Sequence, residues 1–238
     1  MITYLFLAIF ICLMGYMVYF QTVKSEDFIN SPYNSRQDTF ADRVVRGKIM
    51  SADGKVLAET VVDAAGNETR KYPYGNMYAH VVGFSTNGKS GIESNMNFNL
   101  LRSHSFVLER MFNEIKDEKS MGDNVVTTLD STLQETAYQA LGNYDGAVVV
   151  MEPSTGKVLA MVSKPDFDPN TIAADWDSII SEDNNNSVLL NRATQGLYPP
   201  GSTFKIITTL EYIRENPDYE NYSYSCNGSI TENDFTIH

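Results

Sequence analysis

The chain has 238 residues, 42% of them hydrophobic, and a formal net charge of −12. This length and composition allow one or two domains with ordinary globular cores. The acidic balance argues against nucleic acid as the main partner, because phosphate binding needs clustered lysine and arginine side chains.

Cysteine and histidine usage predicts neither a disulfide framework nor a metal site. Only two cysteines are present, and Cys12 lies in the apolar N-terminus, so we do not expect it to pair with Cys226. The histidines His80, His104 and His238 are far apart in sequence and lack the spacing of metal ligands. We therefore expect no metal ion and no cofactor.

The N-terminus is long and apolar enough to cross a membrane. Residues 2–23 contain no charged side chain, and about twenty apolar residues span a bilayer as a helix. Tyr16, Tyr19 and Phe20 near its far end fit an interfacial aromatic belt. We predict an uncleaved anchor over residues 1–23. A cleaved signal peptide is the alternative, but the chain lacks a basic n-region and an A-x-A cleavage site.

Residues 24–120 predict a separate module, mostly irregular or β-containing, which we call the pedestal. Residues 46–49 and 53–58 fit a hairpin with Asp53 and Gly54 in its turn. The rest of the pedestal predicts only a few short strands and turns. A module of this kind more often positions or docks another part than performs chemistry.

From residue 121 the pattern changes to alternating strand and helix signals. Residues 125–129 are rich in β-branched side chains, which favour a strand. Asp130 can then cap a helix with apolar residues at helical spacing, which Gly142 would end. Residues 146–151 and 157–163 are apolar runs that predict a second hairpin.

The turn of that hairpin contains an S-x-x-K tetrad, Ser154 to Lys157. Because Pro153 precedes it and Gly156 lies inside it, we interpret this tetrad as a turn only.

Two further acidic features follow the second hairpin. Asp166 and Asp168 could form an acid/base pair, but the neighbouring proline and Asx residues favour a capped turn. We expect residues 175–187, which are acidic and rich in asparagine, to form an exposed loop.

The most informative stretch, residues 191–205, has the sequence NRATQGLYPPGSTFK and ends in a second S-x-x-K tetrad, Ser202 to Lys205. Two prolines favour an extended approach, and Gly201 permits a sharp turn. Residues 203–214 contain no proline or glycine and predict a buried helix. Ser202 would then begin the helix, with Lys205 one turn later on the same face.

This arrangement suits nucleophilic catalysis. A serine hydroxyl needs a nearby group to take its proton, and a lysine amine can do so where burial and the positive end of a helix disfavour the ammonium form. The same helix end offers backbone N–H groups to a developing oxyanion. The tetrad alone is a weak signal, since about one chance match is expected in a chain of this length.

The wider stretch is more specific, because residues 191–205 as a whole resemble the active-serine motif of penicillin-binding transpeptidases. The first hairpin resembles the R-G-x-I…D-G-x-x-L-A signature of class B penicillin-binding proteins. Residues 70–84 and 91–101 resemble further pedestal segments of that family. By these motifs the chain is identified as a member of class B, closest to the penicillin-binding protein A type.

The resemblance implies an α+β fold in three parts. These are a transmembrane helix over residues 1–23, a small β-containing, dimerisation-type pedestal over residues 24–120, and the front half of a serine β-lactamase-like transpeptidase domain over residues 121–238. It also implies a cell-membrane location, with a single span and the catalytic part outside the cytoplasm.

The resemblance further implies an activity. The substrate would be the D-Ala-D-Ala end of a peptidoglycan stem peptide, with Ser202 as nucleophile, Lys205 as proton acceptor and β-lactams as acylating inhibitors. A membrane glycosyltransferase and other wall-synthesis proteins would be its partners.

The family site also needs S-x-N and K-T-G motifs. Ser225-Cys226-Asn227 matches the first by letter but lies only 23 residues after Ser202, and Lys89-Ser90-Gly91 precedes the serine, so we reject both. We therefore expect a chain truncated after the S-x-x-K motif and inactive by itself. A serine β-lactamase or β-lactam sensor and a non-catalytic scaffold of a wall-synthesis complex remain alternatives.

Overall fold

The computed structural model describes residues 2–25, 28, 43–104, 119–181, 187–225, 227–232 and 235–237. The chain divides into two units, Met1–Gly196 and Leu197–His238, and each is described by itself. Cys226 and His238 lie outside the described residues, so the predictions that involve them are not addressed by the structure.

The first unit begins with a long apolar helix. Helix α1 spans Ile2–Tyr19 and continues into a π-helical turn, Phe20–Lys24. The combined helix, Ile2–Lys24, is long and apolar enough to cross a membrane by length and composition. It coincides with the predicted anchor.

The pedestal contains two small sheets. Strands β1 (Val44–Val45) and β5 (Ser120–Met121) pair in parallel. A four-stranded mixed sheet has the order β4-β3-β2-β6. Its strands are β2 (Ile49–Met50), β3 (Val56–Val62), β4 (Glu68–Lys71) and β6 (Val125–Val126).

The predicted first hairpin is confirmed, because β2 and β3 pair antiparallel across a turn in which Gly54 has φ +82°. The predicted strand over residues 125–129 is present but shorter. Its two residues pair in parallel with β2, so the strand completes the pedestal sheet.

The expectation of only strands and turns in the pedestal is wrong. A 3₁₀ helix (Gly75–Tyr78) and three short α-helices occur there: α2 (Ala79–Val82), α3 (Gly91–Asn95) and α4 (Asn97–Leu100). Segments of four or five residues are too short to show a helical period. They are held by packing, since Tyr78, Val82 and Leu100 are buried in one core with Ile49 and Leu57.

Helix α5 (Ser131–Leu141) confirms the predicted cap and stop. The Asp130 side chain accepts the Leu133 N–H at 2.9 Å, and Gly142 ends the helix with φ +56°. The helix packs on the second hairpin, β7 (Gly146–Met151) and β8 (Val158–Lys164), which pair antiparallel as predicted.

Helix α6 (Ile172–Ile179) replaces part of the loop predicted over residues 175–187. The acidic side chains of this segment favoured the prediction of a loop, but the opposite face of the helix is apolar. Ile172 is buried with Phe84 and Phe167, and Trp176 packs against this second core. Residues 182–186 of the predicted loop lie outside the described residues. The unit ends with the short helix α7 (Arg192–Gln195).

The second unit contains a 3₁₀ helix (Gly201–Phe204), helix α8 (Lys205–Glu215), a 3₁₀ turn (Tyr219–Asn221) and a hairpin of strands β9 (Ile230–Glu232) and β10 (Phe235–Ile237). Helix α8 confirms the helix predicted over residues 203–214, except that residues 203 and 204 belong to the preceding 3₁₀ helix. It is not buried as expected, and Ile206 and Leu210 are 65% and 59% exposed. An apolar pattern predicts a face that gains free energy from burial, but it does not supply the covering surface.

With helices packed beside antiparallel and mixed sheets, the described part of the chain has the predicted α+β fold.

Candidate active site

Ser202 lies in a tight turn that runs directly into helix α8. Gly201 has φ +54°, in the left-handed region that favours glycine. The carbonyl of Pro200 accepts both the N–H of Thr203, at 3.2 Å, and its hydroxyl, at 2.6 Å. The turn is therefore 3₁₀ rather than the first turn of the α-helix that the sequence predicts.

Ser202 and Lys205 are brought together by this turn. The backbone N–H of Lys205 donates to the carbonyl of Ser202. Residues i and i+3 of a 3₁₀ turn lie on the same face, so Ser202 and Lys205 share one face of this turn. Both residues are exposed. No side chain caps α8, and the N–H of its first residue, Lys205, already donates to the Ser202 carbonyl.

The other S-x-x-K tetrad is a hairpin turn, as the sequence predicts. Between β7 and β8, the Gly156 N–H donates to the Glu152 carbonyl at 2.8 Å, and Gly156 has φ +75°. Ser154 lies in this turn rather than at the start of a helix. Ser90, in the rejected K-S-G match, precedes α3 and is not in a strand.

The two aspartates after β8 have separate partners. Asp166 accepts a hydrogen bond from Asn76 at 2.9 Å and another from the Tyr138 hydroxyl at 2.8 Å. Burial, together with the hydrogen bond to Asp166, raises the pKa of Tyr138, so this phenol stays protonated as a donor. Asp168 instead accepts the backbone N–H of Asn170 at 2.9 Å. These contacts support the predicted turn rather than an acid/base pair.

His80 is a buried residue whose environment the sequence does not reveal. Its Nε2 lies 3.1 Å from the carbonyl of Pro165, and its ring packs edge-on against Phe167 at 5.2 Å between centroids. Burial lowers the pKa of His80, which favours a neutral imidazole that donates to this carbonyl. Among the described residues, no group of three or more histidine, cysteine or acidic side chains could hold a metal ion.

Asn191 begins the stretch that leads to the serine. Its Oδ1 accepts the Ala193 N–H at 3.1 Å, which caps helix α7. The sequence carries a signal for this cap, because asparagine is among the preferred N-cap residues. The contacts that bind this stretch to its surroundings are visible only in the structure.

Two family models match this chain, and both describe domains of penicillin-binding proteins. Residues 146–237 match the penicillin binding protein transpeptidase domain, and residues 46–125 match the penicillin binding protein A dimerisation domain. The peptidoglycan D,D-transpeptidase PbpA of Mycolicibacterium smegmatis is 40% identical over 187 residues, which are 69% of this chain and 36% of that protein.

Solved structures agree with this assignment. The D,D-transpeptidase domain of a peptidoglycan glycosyltransferase from Eggerthella lenta superposes with a TM-score of 0.66 at 35% identity, covering 82% of this chain and 43% of the other. Penicillin-binding protein A from M. tuberculosis, as an imipenem acyl-enzyme complex, gives a TM-score of 0.64 at 35% identity, covering 74% and 44%.

The chain spans about a third of the length of the PbpA relatives that it matches. The two family models cover the pedestal sheet, the second hairpin and the Ser202 turn. From these matches and the shared fold, the chain belongs to the class B penicillin-binding proteins, of the penicillin-binding protein A type.

Proposed function

We propose that the protein is a serine-type D,D-transpeptidase that cross-links peptidoglycan stem peptides. One observation carries this proposal: the turn that joins Ser202 to Lys205 lies within the residues that match the transpeptidase domain. The similar M. tuberculosis protein is described as an acyl-enzyme complex with imipenem, which supports an acyl-transfer site in this family.

The two side chains suit the first half of an acyl transfer. The Oγ of Ser202 attacks the penultimate carbonyl of a D-Ala-D-Ala end, and the Nζ of Lys205 accepts the hydroxyl proton. Hydrogen-bond donors placed at the carbonyl oxygen would stabilise the negative charge that develops there. Collapse of the tetrahedral intermediate breaks the peptide bond, and the proton passes to the amine of the departing D-Ala.

The second half transfers the acyl group to a new amine. An amino group from a neighbouring stem attacks the Ser202 ester, forms the cross-link and returns the proton to the serine. A β-lactam would acylate the same oxygen by opening its ring.

The pedestal favours a transpeptidase over the β-lactamase and sensor alternatives. Residues 46–125 match a dimerisation domain of penicillin-binding protein A, a part that a stand-alone lactam-hydrolysing domain does not need. We divide the protein into an anchor (residues 1–23), a pedestal (24–120) and a transpeptidase part (121–238). Its partners would be a membrane glycosyltransferase and other wall-synthesis proteins.

The anchor would hold this chemistry at the membrane. We propose a single span over Ile2–Lys24, with all later residues outside the cytoplasm, where the stem peptides are. Protease added to intact cells should then remove the soluble part. Complete protection in intact cells, with cleavage only after lysis, would contradict this topology.

Labelling with a fluorescent penicillin tests the activity. In isolated membranes, the protein expressed from its complete coding region should be labelled, and mass mapping should place the label on Ser202. Ser202→Ala should abolish labelling, whereas Ser154→Ala, in the hairpin turn, should leave it unchanged. A label that survives Ser202→Ala would exclude this serine as the nucleophile, and an unlabelled parent protein would favour the scaffold alternative.

A further inference from the structure

Two arginines and one glutamate form a buried cluster in the pedestal, which we call the arginine cluster. The side chains of Arg46 and Arg70 are 10% and 8% exposed, and that of Glu93, in α3, is fully buried. Arg46 donates from Nε to Glu93 Oε2 at 2.6 Å, and Arg70 donates from Nε to Oε1 at 2.8 Å. Two positive charges therefore share a single carboxylate, which leaves one positive charge in excess.

The two guanidinium groups differ in how completely they are paired. The Nη1 of Arg46 donates to the side-chain oxygen of Asn97, and its Nη2 donates to the Glu93 carbonyl at 2.6 Å. Each of its three nitrogens therefore has a partner. The Nη1 of Arg70 donates to the Gly47 carbonyl at 2.7 Å. The Nη2 of Arg70 is buried, and no atom of the described residues accepts a hydrogen bond from it.

Neighbouring side chains do not supply the missing negative charge. The Tyr72 hydroxyl lies 3.3 Å from Glu93 Oε1, but burial raises the pKa of Tyr72 to about 12, so the phenol is a neutral donor. Glu59, which precedes Thr60 in β3, pairs with Lys48 at 2.8 Å. The excess charge of the arginine cluster thus remains beside an unused pair of N–H donors.

The charge distinguishes what can complete this site. Within the described part of the chain, two buried side-chain atoms lack a hydrogen-bond partner, the Nη2 of Arg70 and the hydroxyl of Tyr78. Tyr78 is an uncharged donor, so a water molecule would satisfy it. Water would also accept from Arg70, but it would not offset the positive charge, and a buried charge is far costlier than an unpaired dipole. An anion meets both needs.

We propose that the pedestal binds one small inorganic anion, of the size of chloride, at the Nη2 of Arg70. The anion accepts the unused N–H groups and neutralises the arginine cluster. Because Nη2 is enclosed, the site selects a small ion over a carboxylate of another protein. The chain carries a net charge of −12, which disfavours general accumulation of anions at its surface, so binding depends on this local excess. The inference does not depend on the role of Ser202.

Bromide tests the site in the parent protein. It resembles chloride in charge and size, and its anomalous X-ray scattering identifies it in a crystal. Crystals of the protein expressed from its complete coding region, grown in bromide, should show an anomalous peak in contact with Arg70 Nη2. Electron density for a water there, without an anomalous peak, would overturn the proposal.

Thermal unfolding tests binding in solution. Chloride is exchanged for gluconate, which is too large for the site, at constant ionic strength and in the same detergent. A ligand that binds only the folded state should raise the unfolding midpoint by roughly 5 °C at a concentration of about 100 times its Kd. A midpoint that is the same in both salts would overturn the proposal.

A matched pair of variants tests the role of charge without removing an arginine. The Thr60 hydroxyl lies 3.1 Å from Arg70 Nη1, so Thr60→Asp places a carboxylate beside the arginine cluster. In gluconate this variant should unfold at a higher temperature than the parent, and its response to chloride should be lost. Thr69→Asp adds the same charge at an exposed position of β4 and should keep the parental response. Equal responses to chloride in the two variants would overturn the proposal.

Removal of the donor itself gives the complementary test. Arg70→Lys keeps the positive charge but deletes Nη2, so the unfolding midpoint should change by less than about 1 °C between gluconate and chloride. Arg102→Lys, at an exposed position outside the arginine cluster, should respond like the parent. A full chloride response in Arg70→Lys would overturn the proposal. If that variant does not fold, the bromide peak and Thr60→Asp still decide.

Discussion

The side-chain amide of Asn170 pairs with both backbone groups of Tyr72, 98 residues earlier in the chain. Its Oδ1 accepts the Tyr72 N–H at 2.9 Å, and its Nδ2 donates to the Tyr72 carbonyl at 3.0 Å. The amide thus makes the same two hydrogen bonds that the backbone of a neighbouring strand would make. It joins the segment after β8 to the pedestal. This contact and the contact of Asp166 with Asn76 are made by polar side chains on both sides of the proposed domain boundary.

Asn170→Ala should lower the free energy of unfolding by roughly 1–3 kcal/mol, because it leaves two part-buried backbone groups of Tyr72 without partners. Urea unfolding of the soluble part of the full protein measures the change. Asn67→Ala is a suitable control, since the Asn67 side chain donates to the exposed Asp63 within the connection between β3 and β4. Equal, small effects in both variants would show that the paired amide adds little stability.

Glu93→Gln should be among the most destabilising single changes in the pedestal. The Glu93 carboxylate has no exposed surface and accepts hydrogen bonds from Arg46 at 2.6 Å and Arg70 at 2.8 Å. Burial lowers the pKa of Arg46, and the charge of Glu93 opposes this shift. Loss of that charge leaves two largely buried guanidinium groups uncompensated, and breaking such a pair typically costs about 3–5 kcal/mol.

The matched control for Glu93 is Glu59→Gln. Lys48 and Glu59 are 2.8 Å apart but about a third exposed, so solvent screens their attraction. This variant should change the free energy of unfolding by about 1 kcal/mol or less. If chemical denaturation gives similar values for Glu93→Gln and Glu59→Gln, the buried cluster is not a stabilising centre.

Asp53 should make stability depend on pH in the acid range. The hydrogen bond from Ser131, followed by one from Ser51, lowers the pKa of Asp53 from 3.8 to about 2. A carboxylate with a depressed folded-state pKa stabilises the fold above its ordinary pKa and loses that contribution as pH falls toward the folded value. The parent protein should therefore lose stability between about pH 4 and pH 2 more steeply than Asp53→Asn. Parallel unfolding midpoints for the two proteins across this range would show that the pairing does not affect stability.

Lys205→Ala should lower the acylation rate by a factor on the order of a hundred or more, as expected for the loss of a general base. Non-covalent binding of the penicillin should change less, because other contacts hold the ligand. Lys157→Ala, in the tetrad of the hairpin turn, is the control and should be acylated like the parent. Near-normal acylation of Lys205→Ala would exclude this lysine as the base.

Local signals in the sequence predict much of this fold. The Asp53–Gly54 turn, the Asp130 cap with its Gly142 stop, and the turn at Pro153 each depend on a few adjacent residues whose backbone preferences are strong. Helix α8 follows in the same way from a run without proline or glycine. The Ser202 tetrad is recognisable because its wider stretch matches a family motif.

Features that depend on distant partners could not be predicted. The short helices of the pedestal have little intrinsic stability and form because Tyr78 and Leu100 pack into a shared core. The acidic side chains of α6 concealed the apolar face that carries Ile172. The Ser163 hydroxyl is one of many serines in the sequence, and only the fold brings it next to Arg192.

The parallel pairing of β2 with β6 sets an order of events during synthesis. The Lys48 N–H donates to the Asn124 side chain at 2.9 Å across 76 residues, directly beside this strand pair. At typical elongation rates the ribosome needs roughly 4–15 s to add that many residues. During this interval β2 has its partner β3 on one side but an open edge on the other. The nascent pedestal therefore exposes an unpaired strand edge until residue 126 is made, and an exposed edge of this kind is a template for pairing with another chain.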